Sequence, residues 1–208
     1  DTGMGSVGLG AGNDSAVDKM DGSPACHQIV GCGSSELATY NDGDTVSGQS
    51  VGYTSPAING FTVKVTRGME SATVEPVVSI ATKGTIMGAT IGAGVSSIDY
   101  KAVGTADIDP SFVTVGYSLA GLNLGYAAYD GDNGTDETQF GVGMSMGGFD
   151  LGATFADADM GSAADKELMR LSINKGMGAA TFGIDYTETD VAGTNTGDSD
   201  RFDFNYVV

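Results

Sequence analysis

The sequence predicts an all-β fold, a transmembrane antiparallel up-and-down β-barrel. Three observations predict it. Roughly ten-residue segments alternate apolar with small or polar residues. The connectors between them alternate short with long. The small or polar parity also carries charges that a dry core would not hold. Strand side chains point to opposite faces with period two. In 122–129, Leu122, Leu124, Tyr126 and Ala128 oppose Asn123, Gly125 and Ala127. In 140–146, Phe140, Val142, Met144 and Met146 oppose Gly141, Gly143 and Ser145. In 149–155, Phe149, Leu151, Ala153 and Phe155 oppose Asp150, Gly152 and Thr154.

From Thr45 the ladder reads as about eleven strands: 45–54, 60–68, 74–83, 86–97, 111–119, 122–130, 137–146, 149–157, 166–174, 180–189 and 199–208. The short connectors are 55–60, 83–85, 120–121, 147–148 and 175–179. Gly dominates them, as tight hairpins that need positive φ require. The others, 67–73, 97–110, 130–137, 156–166 and 189–200, are mostly longer and acidic. Alternation of the two kinds puts the tight turns at one end of a meander and the loops at the other.

The faces keep their character along the chain. Val63, Val65, Ile91, Val95, Val113, Val115, Leu171, Ile173, Phe182, Ile184, Phe202 and Phe204 share the apolar parity. Lys64, Thr66, Arg170, Asn174, Asp185, Arg201, Asp203 and Asn205 share the other. Charges without partners are costly in a dry core. A water-filled interior with lipid outside accommodates both faces. Tyr53, Phe61, Tyr117, Tyr126, Phe149, Tyr186 and Tyr206 sit near strand ends, where aromatic girdles meet membrane interfaces.

Composition excludes several alternatives. The 208 residues include 34 Gly and no Trp, and no apolar run is long enough for a transmembrane helix. The net charge of -18 repels a phosphate backbone, which argues against a nucleic-acid partner. The acids cluster in the connectors and read as solvated loops or as an acidic outer rim. No Gly-x-Ser-x-Gly elbow, HExxH or phosphate loop is present, so no enzyme is expected. Asp1–Gly12 lacks the basic and apolar regions of a signal peptide, which a secreted precursor would have lost.

Residues 1–44 lack sustained alternation and read as a long loop, with a short helical turn around Ala16–Met20. A loop of this length has a job or is tied down. Cys26 and Cys32 read as a small local disulfide. His27 beside them permits a metal reading, although two Cys and one His fall short of four zinc ligands. Among the acidic loops, Asp130, Asp132 and Asp136 are the candidates for a calcium ion. No other cofactor is expected.

The stretch SGQSVGYTSPAINGFTVKVTRG (47–68) resembles the segment after the constriction loop in Gram-negative trimeric porins, with an α-proteobacterial flavour in the GGFDLGATF-type hairpins. The resemblance covers about 45–208 through architecture and hairpin style. It implies a sixteen-stranded barrel of which this chain supplies the sixth to sixteenth strands, with 1–44 as the constriction loop. Eleven strands leave an open edge, so the chain is expected to be part of a longer protein, or else SVGLGAG (6–12) supplies a further strand. Family members usually end in an aromatic, whereas Val208 ends this chain.

The resemblance further implies an outer-membrane homotrimer in contact with the lipid bilayer and lipopolysaccharide. Small polar solutes and ions would diffuse through a pore whose charges set a transverse field. Asp14, Asp18, Asp21, Glu36, Asp42 and Asp44 are the loop candidates, and Lys64, Arg170 and Arg201 the wall candidates, chosen by inward parity. The net charge predicts mild cation preference. The rival class is a secreted, calcium-held Gly- and Asp-rich structural β protein of adhesin or surface-layer type.

Overall fold

The structure is a computed structural model that describes residues 3–10, 16, 20, 50–132, 134–161, 163–178, 180–193 and 198–207. Among the described residues twelve strands run in chain order: β1 (Ser6–Gly10), β2 (Ser50–Thr54), β3 (Phe61–Gly68), β4 (Val78–Ile86), β5 (Ala89–Ser97), β6 (Ser111–Leu119), β7 (Leu122–Asp130), β8 (Asp136–Met146), β9 (Phe149–Asp159), β10 (Lys166–Met177), β11 (Ala180–Val191) and β12 (Ser199–Val207). Their order in the sheet is their order in the chain, and every described pairing is antiparallel. The eleven expected strands are all present. The twelfth, β1, pairs with β2 within the stretch read as loop, at SVGLGAG (6–12), the alternative reading for a further strand. Val7 and Leu9 stand on its exposed face.

The chain divides into two compact units. One holds β1–β5 and the other β8–β12, with β6 and β7 shared between them. In the first unit, β2 and β3 are joined through 55–60 and β4 and β5 by the two residues Met87 and Gly88, while 69–77 and 98–110 form the longer links. In the second, β8 and β9 turn at Gly147–Gly148, and Met177 pairs with Ala180 across the β10–β11 turn. Both units therefore show the expected short–long alternation.

One turn lies elsewhere than the sequence suggested. Residues 83–85 are strand, and the hairpin closes at Met87 and Gly88, both with positive φ. That is the geometry a two-residue turn needs to match strand twist. Gly84 serves a different purpose. A Cβ built on it would stand 2.5 Å from the Phe61 ring, so the glycine leaves room for an aromatic lying across the neighbouring strand. An isolated Gly reads as a turn signal in sequence, but here it marks a close approach.

Burial is inverted relative to a protein with a dry core. In the first unit Ser79 is 1% exposed and its neighbour Ile80 is 47% exposed. In the second, Thr154 is 0% exposed and Phe155 is 46% exposed. Among the described residues, twelve large apolar side chains on β8–β12 are exposed, and all twelve share the outward parity. Leaving each of them half in water forfeits roughly 1 kcal/mol or more. Together that rivals the ~5–15 kcal/mol total stability of a domain. Lipid removes the penalty, and strands of nine to twelve residues are long enough to cross it.

A conventional hydrophobic cluster does exist, in the long links of the first unit. Val74, Val77, Ile98 and Ile108 are buried together with Tyr100 against them. Ile98 and Ile108 exchange both backbone hydrogen bonds at 2.9 and 3.1 Å, and the Glu75 N–H donates to the Asp99 carbonyl at 2.8 Å. The Lys101 ammonium adds bonds to Glu70 at 3.1 Å and to the Ser71 carbonyl at 2.8 Å. Ile98, Tyr100 and Ile108 fall in a stretch read from the sequence as an acidic connector, whereas Val74 and Val77 fall where a strand, 74–83, was expected and β4 begins only at Val78.

Candidate functional site

The functional surface is the inward face, the parity buried in each unit. Pleating builds it, because alternate residues on every strand project to that side. In the first unit it consists of hydroxyls, glycines and two lysines: Ser50, Thr66, Ser79, Ser96 and Thr114 are buried, and Lys64 and Lys83 are half-buried. The Thr66 and Ser79 hydroxyls hydrogen-bond each other across β3 and β4. Both also accept from the Ala16 N–H, at 2.9 and 2.8 Å. Ala16 is fully buried there. The Met20 carbonyl comes close to Gly92 on the same face, where a built Cβ would lie 3.4 Å from it. Two points of the segment 1–44 thus rest on the inward wall.

In the second unit the inward face carries charge. Strand register sets out rows across β9, β10 and β11: Thr154, Arg170 and Thr187; then Gly152, Ser172 and Asp185; then Asp150, Asn174 and Gly183. Arg170 is buried, and its Nε donates to Thr187 Oγ1 at 3.3 Å. On β8 the Gln139 amide donates to Glu137 at 2.7 Å, with both side chains 1% exposed. Burial of an arginine, a glutamate and an aspartate on one face needs polar company, because the penalty for an isolated buried charge is many kcal/mol. The rows supply it.

The sequence-predicted residues divide as follows. Lys64 and Arg170 stand on the inward face as expected. Arg201 also has inward parity, but it is exposed and held by Asp203 at 2.6 Å. Asp14, Asp18, Asp21, Glu36, Asp42, Asp44, Cys26 and Cys32 lie outside the described residues. Sequence reasoning missed Lys83, Glu137 and Gln139 as wall residues. Lys83 was hidden by the misplaced turn, since parity cannot be read across a supposed connector. Glu137 was read both as the first residue of the expected strand 137–146 and as the end of the acidic connector 130–137, whereas β8 begins one residue earlier, at Asp136.

The acidic rim takes shape at the loop end of the second unit. Asp157, Asp159, Asp165, Glu167, Asp190 and Asp198 border a cleft of about 660 Å³. Three of these carboxylates hold loop backbone: Asp159 accepts from the Gly161 N–H at 2.8 Å, Asp165 from Met160 at 3.2 Å and Asp198 from Val191 at 3.0 Å. In the first unit Asp130 accepts from the Asp132 N–H, and Asp132 accepts from Asp109, each at 2.8 Å. Among the described residues, no group of three or more His, Cys, Asp or Glu could hold a metal ion. The calcium-held adhesin reading finds no support.

An antiparallel meander with greasy outer and wet inner faces defines a channel protein whose wall crosses a membrane as strands. Residues 1–207 match the model of the Gram-negative porin family, and the chain belongs to that family. It is a protein of the bacterial outer membrane. Its fold is similar to that of a porin refined at 1.8 Å resolution, with a TM-score of 0.69, 15% identity, and 99% of this chain and 78% of that chain covered. It is also similar to OmpT of Vibrio cholerae, with a TM-score of 0.64, 21% identity, and 99% and 76% of the two chains covered. A mutant porin of Rh. blastica aligns with a TM-score of 0.60, 16% identity, and 89% and 71% covered. A search of the curated proteins found no match.

Proposed function

We propose that this porin lets small hydrophilic solutes and ions cross the outer membrane passively, through a water-filled pore lined by the inward face. The inverted burial of the two faces carries this reading. A wall with Thr154 inside and Phe155 outside serves water on one side and hydrocarbon on the other. Residues 1–44 narrow the pore. The support for this is the Ala16 N–H held by Thr66 and Ser79, which anchors that segment to the wall. Asp14, Asp18, Asp21, Glu36, Asp42 and Asp44 on that segment, and Lys64, Arg170 and Arg201 on the wall, then set the field a passing ion feels. A Cys26–Cys32 disulfide stiffens the segment.

With 27 acids against 9 bases, the pore prefers cations mildly. The protein assembles as a homotrimer in contact with lipopolysaccharide, as its family resemblance implies. It works without a cofactor. Calcium, if bound near Asp130, Asp132 and Asp136, steadies loops and takes no part in conduction.

The test is reconstitution in planar bilayers under a KCl gradient. Discrete conductance steps with a cation-selective reversal potential are expected, and EDTA should leave the conductance unchanged. A detergent-soluble protein that gives no steps would sink the pore, and a chloride-selective potential would sink the cation preference alone.

A further inference from the structure

We infer that the outward face of the second unit carries a binding site for the phosphate of an anionic glycerophospholipid, centred on Lys175. The site lies on the lipid side of the wall and stands whether or not the pore conducts. Register and ring contacts set one row across five strands at their short-turn end. Met146 on β8 faces Phe149 on β9, and the Lys175 ammonium on β10 sits 4.4 Å from the Phe149 ring centre. Lys175 faces Phe182 on β11, which faces Tyr206 on β12, and those two ring centres are 4.9 Å apart. The negative face of the Phe149 ring attracts the ammonium and holds it in place.

Charge complementarity favours an anionic headgroup. Among the described residues of β8–β12, Lys175 is the only cation with outward parity, since Lys166, Arg170 and Arg201 have the inward one. The outward carboxylates nearest the row are Asp157, Glu167, Glu188 and Asp200, one on each strand from β9 to β12. Each lies about 20 Å or more along its strand toward the loop end. The outer face is therefore acidic at its loop end and cationic at its turn end, and the short turns of such barrels face the periplasm. Lys175 lies about 7 Å from the end of β10, in the interfacial zone where a cation on the lipid face costs little. Its neighbours choose between a lipid and free phosphate. Phe182, Tyr206 and Met177 are exposed beside it and offer apolar contact to glycerol and acyl chains. Free phosphate has no use for that contact.

The full protein in a neutral detergent, titrated with dioleoylphosphatidylglycerol and read by native mass spectrometry, tests this. The parent should bind this lipid about three- to tenfold more tightly than dioleoylphosphatidylcholine, whose choline cancels the headgroup charge. Lys175→Gln should lose the preference, and Lys175→Arg should keep it. Lys166→Gln removes the same charge from the inward side of the same strand and should change nothing. Inorganic phosphate at the lipid's own concentration should not displace it. A parent without the preference, a Lys175→Gln variant that retains it, or an equal loss in Lys166→Gln overturns the site. Displacement by equimolar phosphate overturns the lipid as its occupant. None of these results bears on conductance, so the pore reading stands or falls separately.

Discussion

The strands β2–β5 and β8–β12 are built to one plan and furnished oppositely. The first set carries Lys64, Arg67 and Lys83 and no carboxylate. The second carries eleven Asp and Glu against four Lys and Arg. Their longer links differ as well. Those of the first unit pack Val74, Val77, Ile98 and Ile108 into a small core. Those of the second are tied by carboxylates that accept backbone N–H groups at Gly161, Met160 and Val191. A pleated wall demands an apolar outside and a wet inside, and it leaves the chemistry of the wet side free. Hydroxyls and lysines satisfy it in one place, and an arginine among threonines and acids satisfies it in another.

The largest expected effect tests what the two regions share. Ile173→Arg puts a charge on the outward face, where a cation near the bilayer midplane costs about 2–4 kcal/mol. It should abolish the compact, heat-modifiable form on gels. Asn174→Arg, one residue along and inward, should fold and shift the reversal potential toward anions. Equal damage from both would contradict the assignment of faces. Next comes the loop core. Ile98→Ala should cost roughly 2–5 kcal/mol locally and make 98–110 a protease target. Asp165→Asn in the second unit should cost far less, about 1 kcal/mol, because it weakens one hydrogen bond at 3.2 Å.

Gly84→Ala presses a methyl onto the Phe61 ring and should destabilise by about 1–3 kcal/mol in urea refolding into detergent. Phe61→Ala in the same chain should recover part of the loss. The smallest effect belongs to the acidic rim. Asp157→Asn with Asp190→Asn should lower cation preference modestly at about 0.01 M salt and hardly at all at 1 M, where screening reaches only about 3 Å.

Much of this was legible in the sequence because pleating converts position into direction. Phe155 and Thr154, or Leu171 and Arg170, announce their faces by adjacency alone. The turn at Met87 was not legible, since a methionine at positive φ carries no sequence signal while the glycine at 84 does. That single error concealed Lys83. The cluster around Ile98 and Ile108 was lost for a related reason. Its apolar residues are scattered between Asp99, Asp107 and Asp109, with no period to reveal that they meet. The site was less legible than the fold: parity shows that a charge faces inward and says nothing of its neighbours. Arg170 beside Thr187 and Arg201 beside Asp203 looked alike in the sequence and differ in burial and partner.

The two-residue turns at Met87–Gly88 and Gly147–Gly148 have a consequence for how such a chain can change length. One residue added within a strand would send every later side chain in it to the wrong face. A turn this tight has no slack to absorb the shift. The links at 69–77 and 98–110 have the length to absorb it. Insertions, tags and natural length variation should therefore accumulate at those longer links, while the tight-turn side stays as short as it is now.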